Sequence, residues 1–266
     1  MNANKNKVWL IGSGYMAIEF AKVLKALDKA FICIGRGSEN ANNFKQATGV
    51  DCTTGGLEAF LKLKPEIPEA VLVAASIESL TPTVTALLNY GVKNLLVEKP
   101  GVGMPNEIHD LNRLAIKEEA KVYIGYNRRF YASVIAAQKI IKEDKGVTSF
   151  AFEFTEWSHK IKDLQKHPIE HNYWFLGNST HVIDTAFFIA GKPKHISCYV
   201  RGNNSLNWHP ASSIFSGAGE TEAGALFSYH ANWQAPGRWV IEMFTAQHRL
   251  IFKPLEKLQI QKNRCN

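Results

Sequence analysis

The chain has 266 residues, 45% hydrophobic and 21% charged, a balance that suits two modest folded domains and excludes wholesale disorder. No apolar run reaches the roughly 18 residues of a membrane helix, and the apolar segment after the polar, basic start stops at Gly12-Ser13-Gly14, too soon for a secretory signal. A cytoplasmic protein with no membrane partner is expected. The net charge of +7 comes from lysines and arginines spread along the chain, with no arginine-rich tract interleaved with aromatics, so it points to a phosphorylated small ligand rather than nucleic acid. Cys33, Cys52, Cys198 and Cys265 show no paired spacing. They read as small core hydrophobes, not as a disulfide framework or a metal site.

From Lys7 to about Gly125, short apolar runs alternate with helical patterns. Strands are expected at Lys7–Gly12, Ala30–Gly35, Ala70–Ala75, Asn94–Val97 and Lys121–Ile124; their near-continuous apolarity marks strands covered on both faces. Helices are expected at Tyr15–Leu27, Asn40–Ala47, Gly56–Leu63, Thr81–Tyr90 and Pro105–Glu119. In the first of these Phe20, Val23, Leu24 and Leu27 recur at helical spacing, and in the last Ile108, Leu111, Leu114 and Ala115 do the same. Pro82 and Pro105 fall in first helical turns, where proline is tolerated. The alternation predicts an α/β fold opening with a doubly wound parallel sheet over residues 1–124.

After Gly125 the pattern changes. A helix at Ala132–Ile141 leads to a long strand at Thr148–Ser158, with Phe150, Phe152 and Phe154 on one face and Ala151, Glu153, Thr155 and Trp157 on the other. Residues 223–233 alternate similarly, and 194–201, 239–245, 248–252 and Leu255–Gln261 also read as strands. One helix, about Ser179–Ala190, closes at Gly191 with Pro193 beyond it. Period-two alternation over successive strands predicts a mostly antiparallel sheet, and hence an α+β domain over residues 125–266.

The first strand runs into Gly12-Ser13-Gly14-Tyr15-Met16-Ala17, a G-x-G-x-x-A between strand and helix. The first glycine allows the tight turn, the second lets a pyrophosphate approach the backbone, and Ala17 permits close helix–strand packing. Amide groups and the helix dipole then hold the negative charge. About 20 residues on, NAD binders place an acid on the ribose hydroxyls. Here the second strand ends Ile34-Gly35-Arg36-Gly37-Ser38, with no acid. Arg36 and Ser38 are suited to a 2′-phosphate, so NADP is expected, with NAD as the other option.

The strand at Asn94–Val97 continues into Glu98-Lys99-Pro100, at the carboxyl end where an open parallel sheet presents its chemistry. Together with the glycine loop, with Gly125-Tyr126-Asn127-Arg128-Arg129-Phe130 and with His181-Val182-Ile183-Asp184, this arrangement resembles the glucose–fructose oxidoreductase/inositol dehydrogenase (Gfo/Idh/MocA) family over most of the chain. The resemblance implies a Rossmann domain followed by a domain for substrate binding and oligomerisation. It places the catalytic roles on Lys99 and His181. Histidine, with an unperturbed pKa of about 6.5, is the natural proton acceptor, and Lys99 stabilises developing alkoxide charge. Cofactor contacts are expected from Gly12, Ser13, Gly14, Tyr15, Met16, Arg36, Ser38, Ala75, Glu98 and Lys99. Substrate contacts are expected from Lys99, Tyr126, Asn127, Arg128, Asn178, His181 and Asp184; for Arg128 and Arg129, meeting a substrate phosphate and standing as a solvated or interdomain arginine are equally open readings.

Two features depart from the family pattern. Gly177 stands where members commonly carry an Asp four residues before the histidine, and members usually extend past the strand at Leu255–Gln261, so a truncated, edited or naturally short substrate domain is expected. The resemblance implies an NAD(P)-dependent oxidoreductase acting on a sugar, nucleotide-sugar or polyol. Its alternatives are a redox-assisted glycosidase with bound NAD and a catalytically silent dinucleotide-binding regulator. Family members bury the outer face of the second sheet between subunits, so a homodimer or homotetramer is expected, with Trp157, Tyr229 and Trp233 on that face.

Overall fold

A computed structural model describes residues 7–165 and 168–263, so Cys265 and the polar start at 1–6 lie outside the described residues. The chain divides into two compact units, one ending at Gly125 and the other beginning at Tyr126. Among the described residues, no helix is long and apolar enough to cross a membrane.

The first unit runs β1 (Val8–Ile11), α1 (Tyr15–Ala26), β2 (Phe31–Ile34), α2 (Ser38–Thr48), β3 (Cys52–Thr53), α3 (Gly56–Lys62), β4 (Val71–Val73), α4 (Ile77–Tyr90), β5 (Asn94–Val97), α5 (Ile108–Lys117) and β6 (Lys121–Ile124). Its strands pair in parallel in the order β3-β2-β1-β4-β5-β6. All four residues of β1 are buried, as befits the central strand of a sheet with helices on both faces. The chain winds outward from β1 to β3, then crosses to β4, so β1 and β4 flank the topological switch point.

Three expectations change in this unit. Strand β3 is only two residues long and carries no apolar run to announce it. Helix α4 starts at Ile77, about a turn earlier than the proline suggested, because Ile77 and Leu80 share the buried face of Val84, Leu87 and Leu88. Pro82 therefore lies inside the helix, where it has no N–H to return to the Glu78 carbonyl. Finally, β6 is an edge strand with Lys121 and Tyr123 exposed, not a strand covered on both faces.

The second unit contains α6 (Ala132–Glu143), β7 (Ser149–Glu153), α7 (Ser158–Ile161), α8 (Pro168–Asn172), α9 (Thr180–Ala190), β8 (Pro193–Arg201), β9 (Ile214–Thr221), β10 (Leu226–Asn232), β11 (Val240–Phe244), β12 (His248–Phe252) and β13 (Gln259–Lys262). The sheet order is β13-β12-β11-β7-β10-β9-β8, antiparallel throughout except for the β7–β10 pair. On central β7, Phe150 and Phe152 pack edge-on against Phe187 of α9 at 5.6 and 5.7 Å and stack on Phe227 and Tyr229 of β10 at 5.3 and 5.4 Å.

The outer face differs from expectation. On β10, Phe227, Tyr229 and Ala231 share the parity that faces α9, and Trp233 continues it into the core at 1% exposure. Leu226, Ser228 and His230 point outward instead. Trp157 lies beyond the end of β7, its indole donating to the Gly237 carbonyl at 3.1 Å. Strand β9 was hidden by its glycines. A Cβ at Gly217 would fall 2.5 Å from the Tyr229 ring and one at Gly219 would fall 2.6 Å from the Phe227 ring, so the two glycines make room for the aromatics of β10.

Candidate functional site

In the first unit, the carboxyl ends of β1, β2 and β4 open into a cavity of about 540 Å³. Its floor is Gly12-Ser13-Gly14. Gly12 has φ +115°, and a Cβ there would lie 2.3 Å from the Ala74 carbonyl oxygen after β4, so only glycine fits. Its N–H donates to the Ile34 carbonyl at 2.8 Å, tying the loop to β2. At Gly14, the residue before α1, a Cβ would meet nothing within 4 Å. The protein therefore fills the space at the first glycine and leaves it open at the second. Behind them Ala17 is fully buried, which lets α1 lie close on the sheet.

Of the residues expected to hold a cofactor, Gly12, Ser13, Gly14, Arg36 and Ala75 line this cavity; Tyr15, Met16, Ser38, Glu98 and Lys99 are not among its lining residues. Tyr15 is 75% exposed, and Met16 packs on the small core beneath α1. Arg36 donates to the Ser76 hydroxyl at 3.4 Å, and no acid occupies the end of β2. Asn40, Ser76 and Thr83 add polar groups to the wall that the sequence pattern had not singled out. Glu98 and Lys99 follow β5 and are partly buried. Burial pushes the Glu98 carboxyl up, and the Lys99 charge beside it pulls the other way.

In the second unit, His181 is the second residue of α9 and is 8% exposed. Its ring meets Tyr126 edge-on at 6.1 Å and lies 6.1 Å from Trp239. The two arginines of the Tyr126-Asn127-Arg128-Arg129 turn have different fates. Arg129 donates from Nε to Asp184 at 2.8 Å and from a second nitrogen to its other oxygen, a bidentate internal pair. Asp184 is thus engaged by Arg129 one helical turn beyond His181. Arg128 instead lies over the Trp239 ring at 4.8 Å, with Glu256 at 3.3 Å and the Tyr131 hydroxyl at 2.8 Å. Asn127 is exposed. Burial raises the Tyr126 hydroxyl, against the lowering effect of its bond to Thr180.

The residue that sequence reasoning missed here is Glu156. It is 1% exposed, a carboxylate enclosed by donors: Asn178 Nδ2 at 3.0 and 3.1 Å, Ser179 Oγ at 2.8 Å, Trp239 Nε1 at 3.3 Å and Arg238 at 3.5 Å. Asn178 and Ser179 belong to the wide π-type turn at Phe175–Ser179 that leads into α9. Burial still wins and raises the Glu156 carboxyl, although every one of these partners pulls it down. A signal existed: Glu156 continues the parity of Phe150, Phe152 and Phe154, an acid in phase with a core face. Among the described residues no group of three His, Cys, Asp or Glu side chains could hold a metal ion.

Residues 6–126 match the family model described as GFO_IDH_MocA, oxidoreductase family, NAD-binding Rossmann fold. Three solved structures similar to this chain illustrate the range. Levoglucosan dehydrogenase in complex with NADH and L-sorbose is 17% identical with a TM-score of 0.77, over 97% of this chain and 76% of that one. The WlbA dehydrogenase from Bordetella pertussis, in complex with NADH and UDP-GlcNAcA, is 12% identical with a TM-score of 0.78, over 100% and 80%. An oxidoreductase from Agrobacterium radiobacter in complex with NAD+, L-tartaric acid and magnesium is 15% identical with a TM-score of 0.76, over 97% and 77%. At these identities the likeness is one of fold. No curated protein sequence matches the chain.

Proposed function

We propose that the chain, whose residues 6–126 match the model of an oxidoreductase family with the NAD-binding Rossmann fold, is an NAD(P)-dependent oxidoreductase of a sugar, nucleotide-sugar or polyol. The observation that carries this reading is the cavity at the switch point, closed by protein at Gly12 and open at Gly14. Amide groups at the start of α1 suit a pyrophosphate there. Arg36 would pair with a 2′-phosphate, which favours NADP over NAD. A nicotinamide dinucleotide, when bound, supplies the hydride acceptor or donor.

The chain's own residues then handle the proton and the charge. His181 takes the hydroxyl proton of the carbinol, or returns it in the opposite direction. Lys99 carries positive charge to the developing alkoxide. Glu156 acts through its neighbours: it fixes Asn178 and Ser179 just before α9, and Trp239 beside the His181 ring, and so sets where His181 stands. With Asp184 held by Arg129, Arg128 becomes the better of the two arginines for an anionic substrate group.

A panel of sugars and keto-sugars assayed for steady NADPH or NADH turnover tests this reading. With a substrate in hand, His181→Ala is expected to lower turnover by about two to four orders of magnitude while cofactor binding stays near the parent's. Parental turnover in that variant would reduce His181 to a packing residue and remove it from the mechanism.

A further inference from the structure

Two thiols that lie far apart in the sequence meet in the fold. Cys33 on β2 and Cys52 on β3 are register partners on adjacent parallel strands, with their sulfurs 3.2 Å apart. Cys33 is buried, whereas Cys52 is partly open to solvent. Both touch the loops that line the cavity. The Cys33 thiol donates to the Gly12 carbonyl at 3.3 Å. Gly35, a lining residue, has its Cβ direction aimed at the Cys52 sulfur, which would be only 2.9 Å away.

We propose that Cys33 and Cys52 form a reversible dithiol–disulfide modification site, oxidised by a peroxide or a small organic disulfide, and that closing it weakens dinucleotide binding. The binding half rests on the function proposed above for the adjoining cavity.

With hydrogen peroxide the steps balance as follows. The Cys52 thiolate attacks one peroxide oxygen, an S–O bond forms, the O–O bond breaks, and the departing hydroxide leaves as water after protonation. The Cys33 sulfur then attacks the Cys52 sulfur. An S–S bond forms, the S–O bond breaks, and a second water leaves with the Cys33 proton. Two electrons pass from the sulfurs to the peroxide. Exposure assigns the first attack to Cys52; Cys33 is buried and its thiol is pushed up by that burial, so it does not meet the oxidant first.

Closure must bring the sulfurs from 3.2 Å to about 2.05 Å. It also takes the thiol hydrogen away from the Gly12 carbonyl. Gly12 has no slack to absorb this, pinned as it is against Ala74 and bonded to Ile34. The adjustment therefore falls on the Gly35–Arg36 end of β2, where the 2′-phosphate contact is proposed. Disulfides inside cells are usually transient and redox-sensing, consistent with such a role.

The test uses the full chain, reduced and then treated with hydrogen peroxide or glutathione disulfide. Peptide mapping should find a Cys33–Cys52 crosslink, and NADPH affinity should fall by about threefold or more, returning with dithiothreitol. Cys52→Ser should bind NADPH like the reduced parent and ignore the oxidant. Free thiols at both positions after treatment would overturn the proposal, as would a crosslink that leaves NADPH affinity unchanged. A reduced protein that binds neither NADPH nor NADH would overturn the proposed function and the binding half together, and mass would still decide the crosslink.

Discussion

Arg36 and Glu156 are opposite electrostatic cases. Arg36 is exposed beside the cavity and donates to the Ser76 hydroxyl at 3.4 Å. Such a group loses little by turning toward a phosphate. Arg36→Ala is expected to weaken NADPH by about tenfold or more, a charge-assisted contact of about 1.5–3 kcal/mol, while NADH changes little. Paired fluorescence titrations decide this, and equal losses for both cofactors would remove Arg36 from the 2′-phosphate role. Glu156 is enclosed, and its carboxyl is raised by burial. An acid whose folded value lies above its unfolded one, about 4.3 for glutamate, costs the folded state increasingly as pH rises past that value. Stability of the parent relative to Glu156→Gln should therefore fall as pH rises above about 4.3 in melting experiments. A difference independent of pH would contradict a raised carboxyl at this position.

At the scale of elements, local chemistry decides what a sequence reveals. Strands β1, β2, β4 and β5 are legible as runs such as Val-Trp-Leu-Ile because both faces are covered. Strand β3 was not, since two residues establish no period, and β9 was not, since Ser216-Gly217-Ala218-Gly219 is small for the sake of rings on β10. Alternation revealed that β10 has two faces but not which one meets α9; that is set by the ring contacts of Phe227 with Phe150 and Phe187. The outer face that results is built from Leu226, Ser228 and His230, with Ser216 opposite His230 and Tyr199 opposite Ser216. We propose this face as the surface of a homo-oligomer, in which Leu226 and Tyr199, 62% and 68% exposed, would be covered. Sedimentation at micromolar concentration should find a dimer or tetramer in the parent and a lighter species in Leu226→Lys. A monomeric parent would refute the assignment.

At the scale of the whole chain, the two units differ in how much of their chemistry the sequence displays. The glycine loop is a local device: turn, open space and helix start all lie within Gly12–Ala17, so spacing alone exposes it. The surroundings of His181 are assembled from Tyr126, Glu156, Asn178 and Trp239, which only the fold brings together. The pairing of Arg129 with Asp184 spans 55 positions and is equally invisible along the chain. The dinucleotide assignment rests on the open space at Gly14. It is most directly tested by titrating NADPH into the parent and into Gly14→Val. Beyond Gly14 and its two chain neighbours nothing lies within 4 Å of the added Cβ position, so the variant should keep the parent's circular dichroism and lose cofactor binding, because the side chain takes the place of the pyrophosphate. A folded Gly14→Val protein that binds NADPH as tightly as the parent would contradict the dinucleotide assignment.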